Sequence, residues 1–137
     1  MEQSFLQSAA LLLAREILGI LFLFQGYDKI FRIGIGNVAD AASTPVTDKL
    51  FGKGFFKVLI LLSSWVELLA GIMLMLGLQR DTGLLLLSAD MLMTAVIFTL
   101  IKPMWDMKYY LPRLILLLIL MIAPQAWDTF RIDSLLR

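Results

Sequence analysis

Four charged residues lie inside apolar runs. Arg15 and Glu16 interrupt Leu11–Lys29 (LLLAREILGILFLFQGYDK), and Glu67 and Asp90 interrupt two later runs. A charge at the centre of a bilayer span costs at least about 2.5–3.5 kcal/mol on insertion scales, so it is tolerated where it meets another helix, a counter-charge or water. A guanidinium beside carboxyls in such a place can bind a polar or anionic head group and exchange a proton with it. Position along a helix gives depth. Measured from the membrane face that carries the termini and Arg80 (here the proximal face), Arg15 lies roughly 9 Å in, Asp90 roughly 12 Å and Glu67 roughly 16 Å. These depths predict one cluster of Arg15, Glu67 and Asp90, with Glu16 adjoining. Fully ionised, the four would sum to −2. Either Arg80 reaches in from its turn, or one carboxyl, of Glu67 or Asp90, keeps its proton. Gln25, Lys29 and Arg80 form a second rank of candidates. Gln25 and Tyr27 can donate to a quinone-like carbonyl or satisfy one another. Lys29 and Arg113 read as anchors at the opposite (distal) face, with long stems that let their charges reach water. The alternative for all the buried charges is a structural one, fixing helix register.

These side chains need helices to hold them. Arg15, Gly19, Phe22, Gly26 and Lys29 recur at spacings of 4, 3, 4 and 3, which is one helix face. Its two glycines admit a neighbouring backbone. Four apolar segments, at about 9–29, 55–78, 82–101 and 110–126, each approach the roughly 20 residues that span a bilayer. They predict an all-α transmembrane four-helix bundle formed by one domain over residues 1–137. Gln79–Asp81 makes a tight hairpin between the second and third spans. Residues 30–54, rich in turn formers, read as a long loop with a short helix at Thr47–Phe51 lying at the membrane interface. Trp105, Tyr109 and Tyr110 suit an interfacial belt. Pro103 suits a helix end, and Pro124 should kink or end the last span. The tail, AWDTFRIDSLLR, alternates charged and apolar residues and predicts a short interfacial helix.

Composition narrows the chemistry. Hydrophobic residues make up 60% of the 137, against about 45–50% in soluble domains, which points to a membrane protein. A net charge of +1 offers nothing to nucleic acid. With no Cys and no His, thiol relays, Cys-based metal sites and His-ligated haem or zinc are excluded within this chain. The eight Met residues read as packing. The N-terminus lacks the basic region of a signal peptide, so the first span is expected to be retained. Lys and Arg number three on the proximal side (Arg80, Arg131, Arg137) and seven on the distal side (Lys29, Arg32, Lys49, Lys53, Lys57, Lys102, Lys108). The positive-inside rule then places both termini outside the cytoplasm.

The residues also carry a resemblance. Arg15-x3-Gly19 followed by Gly26-x2-Lys29 resembles the first-helix signature of the DoxX family of small bacterial membrane proteins. Glu67-x3-Gly71 is similar to its second-helix motif, and Leu76-Gly77-Leu78-Gln79-Arg80 to its LGL-x-R hairpin. The end of the chain departs, with Ala123-Pro124-Gln125 where the family often has Gly-Pro-Gly. The resemblance implies a four-helix, multi-pass protein of the bacterial inner membrane that serves as a subunit or partner of a quinone-linked redox system, not catalytic alone. It implies no covalent cofactor, with quinone or lipid as the bound molecule and a protein partner or second copy beside it. Relatives that handle disulfides need cysteines, and this chain has none. The other expectation is a non-enzymatic assembly protein whose buried charges are structural.

Overall fold

The computed structural model describes residues 2–102, 107–134 and 136. Pro103, Trp105 and Arg137, which entered the helix-end, belt and orientation expectations, lie outside them. The described residues form helices α1 (Glu2–Tyr27), α2 (Ile35–Ala42), α3 (Pro45–Phe51), α4 (Lys53–Leu76), α5 (Arg80–Ile101) and α6 (Leu111–Ile122). Three helical stretches are long and apolar enough to cross a membrane: Ser4–Ile33, Lys53–Leu76 and Arg80–Ile101. Helix α6 has 12 residues, roughly 18 Å, short of a full span.

Several expected boundaries move. α1 begins seven residues earlier than position 9 and continues beyond Tyr27 as a π-helical turn, Asp28–Ile33. The expected long loop is mostly helix: after Gly34 the chain forms α2 and α3, and the predicted Thr47–Phe51 helix starts at Pro45. Thr44 caps it, its hydroxyl accepting from Thr47 N–H while Thr47 Oγ1 accepts from Thr44 N–H at 2.8 Å, the reciprocal arrangement that satisfies two orphan donors. The last helix is shorter than 110–126. Pro124 forces Ala123 into extended backbone, because proline disfavours the α region for the residue before it. The tail is not an interfacial α-helix. It forms two single 3₁₀ turns, Gln125–Trp127 and Ile132–Ser134, and folds back over the start of α1, where Phe130 meets Phe5 edge-on at 6.4 Å.

The α1 stripe is the packing seam. Arg15, Leu18, Gly19, Phe22 and Gly26 are buried, and α4 runs antiparallel against them. A Cβ on Gly26 would lie 2.6 Å from both Leu68 N and Ser64 O; one on Gly71 would lie 2.6 Å from Leu23 N and 2.8 Å from Gly19 O. Backbone touches backbone, so only glycine fits. These contacts fix the register: Gly71 sits against Gly19 and Leu23, and Ser64 and Leu68 against Gly26. Gly71→Ala should therefore force the helices apart, at the 1–3 kcal/mol typical of overpacking. A thermal melt in detergent that matches the wild type would refute this seam. Leu18, Phe22, Ala70, Leu74, Leu87, Leu117 and Leu120 fill the core. The outward positions, such as Leu13, Phe24, Leu62 and Leu92, are apolar as well, as lipid contact requires.

The α4–α5 turn closes with a glycine in the left-handed region. Gly77 has φ 64, its N–H reaches Leu74 O at 3.1 Å, and Leu78 N–H reaches Met73 O at 2.9 Å, the pairing that satisfies the last helical carbonyls. Gln79 adopts φ 41, and its N–H donates to Asp133 Oδ2 at 2.8 Å. The tail thus completes this turn.

Candidate functional site

The predicted cluster of Arg15, Glu67 and Asp90 divides into two. The cause is the glycine register. With Gly26 against Ser64 and Leu68, Glu67 falls level with Gln25. Arg15 lies nine to ten residues nearer the proximal face, roughly 13–15 Å away along the helix. It falls level with Gly77, where a Cβ would come within 2.8 Å of Arg15 Nη1.

At the proximal end, Arg15 is 1% exposed. Its Nη1 donates to both oxygens of Asp128, at 2.9 and 3.1 Å, and its Nη2 donates to Phe130 O. Glu16 stands 3.7 Å from Nη2 with its side chain 30% exposed. Arg80 does reach into the protein from the turn, but toward this end: Nη2 donates to Leu120 O and, at 3.0 Å, to Ala123 O, and Nη1 lies 3.8 Å from Asp128 Oδ2. Asp128 is the residue that sequence reasoning missed. The alternating tail predicts it on a surface helix, yet its side chain is wholly buried. It joins α1, α5 and the tail by one carboxylate. Two open clefts of about 390 and 430 Å³ flank this end, the first around Gln79 and Asp133, the second around Glu16 and Thr129.

Nearer the middle of the span lies the second cluster. Glu67 is 0% exposed. Lys29 Nζ donates to both of its oxygens at 2.8 and 2.9 Å, and Gln25 Nε2 donates to Oε1 at 2.6 Å. Gln25 Oε1 in turn accepts from Arg113 Nη1, whose guanidinium also sits 5.7 Å from the centre of the Phe22 ring. Arg113 is therefore not a distal anchor. Because α6 starts level with the middle of α5, where Tyr110 Oη donates to Met91 O at 3.0 Å, Arg113 enters the bundle near mid-depth. Asp90, 5% exposed, accepts from Ser63 Oγ at 2.5 Å, and Ser63 lies one turn of α4 before Glu67. Lys29 and Arg113 balance Glu67 and Asp90, so the cluster is formally neutral and the expected excess of two negative charges does not arise. Lys29 owes its position to the π-helical turn, a form of winding frequent at functional sites. Tyr27 faces outward, 43% exposed, its ring tilted against that of Phe31 with centroids 5.1 Å apart.

Lys29 and Ser63 also line a crevice of about 110 Å³ between α2, α4 and α5, whose other walls include Phe56, Ile60, Met93 and Ile97. A cavity of about 150 Å³ in an apolar core accommodates benzene, so the crevice is near the size of one small ring. It offers apolar walls, with the Lys29 ammonium and the hydroxyl residues Ser63 and Thr94 as its polar lining. Behind Lys29 and Ser63 lie the carboxyls they bond, Glu67 and Asp90. That arrangement can hold an acceptor oxygen on Lys29 and carry a proton between two carboxyls. Among the described residues no group of three or more carboxylates could hold a metal ion.

A family model described as DoxX matches residues 10–100, from the first turns of α1 almost to the end of α5. No curated protein and no solved structure matches the chain. Helix α6 and the tail, with Arg113 and Asp128, fall outside the matched stretch. The stripe from Arg15 to Lys29, the Glu67–Gly71 pair and the Leu76–Arg80 turn all fall within it, and the chain belongs to the DoxX family.

Proposed function

We propose that the protein is a membrane subunit of a quinone-linked redox system, with α6 and its flanking turns completing a four-helix bundle in the bacterial inner membrane. The carrying observation is Glu67, fully buried in the span and held by Lys29 and Gln25 where an apolar crevice begins. In this reading the head group of a quinone enters the crevice and accepts a hydrogen bond from Lys29. Glu67 and Asp90 hold the proton that the head group takes up or gives back. Electrons come from a partner subunit, since the chain has no Cys and no His. Gln25 and Arg113 are positioning residues that orient the Glu67 carboxyl. Arg15 and Arg80, once candidates for the same pocket, belong instead to the closure of the proximal end.

The test is retention. Protein extracted in mild detergent should carry quinone, detected by mass spectrometry. Glu67→Gln releases the Lys29 ammonium toward the distal face, so this variant should elute at the same volume with roughly tenfold less quinone, the loss of about 1.4 kcal/mol expected for the one charged hydrogen bond that Lys29 gives the head group. Quinone at wild-type level in that variant, or none in the wild type, discards the site. A second reading, an assembly protein with structural charges, is favoured by the Arg15–Asp128–Arg80 junction, which serves only to hold elements together. It predicts a stoichiometric protein partner and no small molecule.

A further inference from the structure

The helical insert that replaces the expected loop has an outer surface of its own. On α3, Val46 and Leu50 are 47% and 60% exposed, four residues apart and so on one stripe. Thr47, on the other side, is buried and pinned by the Thr44 cap. Phe51 is stacked on Phe55 and Phe56, each at 6.3 Å, which continues the apolar row to Phe55, itself 56% exposed. Lys49, Lys53 and Lys57 are all exposed. Lys53 stands 4.0 Å from Asp48, and its side chain is 84% exposed. An apolar row with lysines along it, at the end of a membrane-crossing helix, matches the boundary between head groups and acyl chains.

We propose that α3 and the first turns of α4 form an in-plane anchor that binds anionic phospholipid. Val46, Leu50 and Phe55 enter the upper acyl layer, and Lys49, Lys53 and Lys57 meet phosphate groups. Charge complementarity selects this occupant. Each lysine near an anionic leaflet is worth about fivefold in affinity, so three amount to on the order of a hundredfold. The inference is independent of the quinone reading, because none of the three lysines touches Glu67.

The chain contains no Cys, so Leu50→Cys gives a single labelling site for an environment-sensitive dye. In vesicles of phosphatidylcholine and phosphatidylglycerol the dye should emit at short wavelength and be quenched by nitroxide placed at head-group depth. Native mass spectrometry should show phosphatidylglycerol retained by the wild type and depleted at least tenfold in Lys49→Gln/Lys53→Gln/Lys57→Gln. Water-like emission in the vesicles overturns the anchor. So does equal retention of anionic lipid by the triple variant. Dye that is shielded in native membranes but exposed in vesicles of lipid alone assigns the face to a protein partner and overturns it as well.

Discussion

Asp128→Ala should destabilise the protein more than any other single substitution considered. The carboxylate accepts from Arg15 at 2.9 and 3.1 Å and lies 3.8 Å from Arg80, and both guanidinium side chains are 2% exposed. Removing it leaves two buried cations facing each other, with the partly exposed Glu16, 3.7 Å from Arg15 Nη2, as their nearest anion. Breaking one buried pair by deleting a partner costs about 3–5 kcal/mol, and two cations share this one. Nor can either cation relax easily. Arg15 is also tied to Phe130 O, and Arg80 to Leu120 O and Ala123 O. The loss should lower the melting temperature in detergent by on the order of 10 °C. It should also free the tail, opening the backbone around Asp128 to limited proteolysis. Asp128→Asn keeps an acceptor while losing the charge, so it should fall between. A melt of Asp128→Ala within 2–3 °C of the wild type, with the tail still protected, would show that the junction contributes little.

The sequence carried the α1 seam in full, because a glycine-bearing stripe at helical spacing has one physical use in a span: close approach of a second backbone. It also carried Glu67 and Asp90 as neighbours, since both lie well inside their helices. What it did not carry was the register between helices. Depths counted from assumed span ends placed Arg15 within reach of Glu67. α1 in fact extends well past the α4–α5 turn, so Arg15 lies at the end of the bundle. Gly26 against Ser64 and Gly71 against Gly19 set that offset, and only the three-dimensional packing reveals which glycines meet. Asp128 was hidden for a different reason. An alternating tail has the pattern of a surface helix, and only the proline at 124, which stops α6 and turns the chain inward, hints otherwise. A second hint was available in the charge balance: two arginines near the proximal face, Arg15 and Arg80, needed an acid at their own depth.

The same accounting predicts an asymmetry at the inner cluster. Lys29 and Glu67 are partners, yet deleting one should not equal deleting the other. Glu67→Gln leaves Lys29 with a long, flexible stem, 22% exposed and four residues from the distal end of the α1 helical stretch. The ammonium can swing toward that face and regain water, so the variant should lose only about 1 kcal/mol, the net worth of a hydrogen bond. Lys29→Met is worse. Glu67 is fully enclosed and has no route to solvent, and Asp90 lies beside it. Arg113 reaches it by hydrogen bonds through Gln25 and otherwise acts from a longer distance. Two carboxyls then share one indirect cation, and the cost should approach the 3–5 kcal/mol of an uncompensated buried charge. Adding Glu67→Gln to Lys29→Met removes the stranded charge and should recover about 2 kcal/mol, a coupling typical of residues in one network. Thermal melts of the two single variants and the double, in the same lipid nanodiscs, measure all three terms. Equal single losses that simply add in the double variant would mean that Lys29 does not neutralise Glu67 in the folded protein, and the proton-exchanging pair with Asp90 would lose its basis.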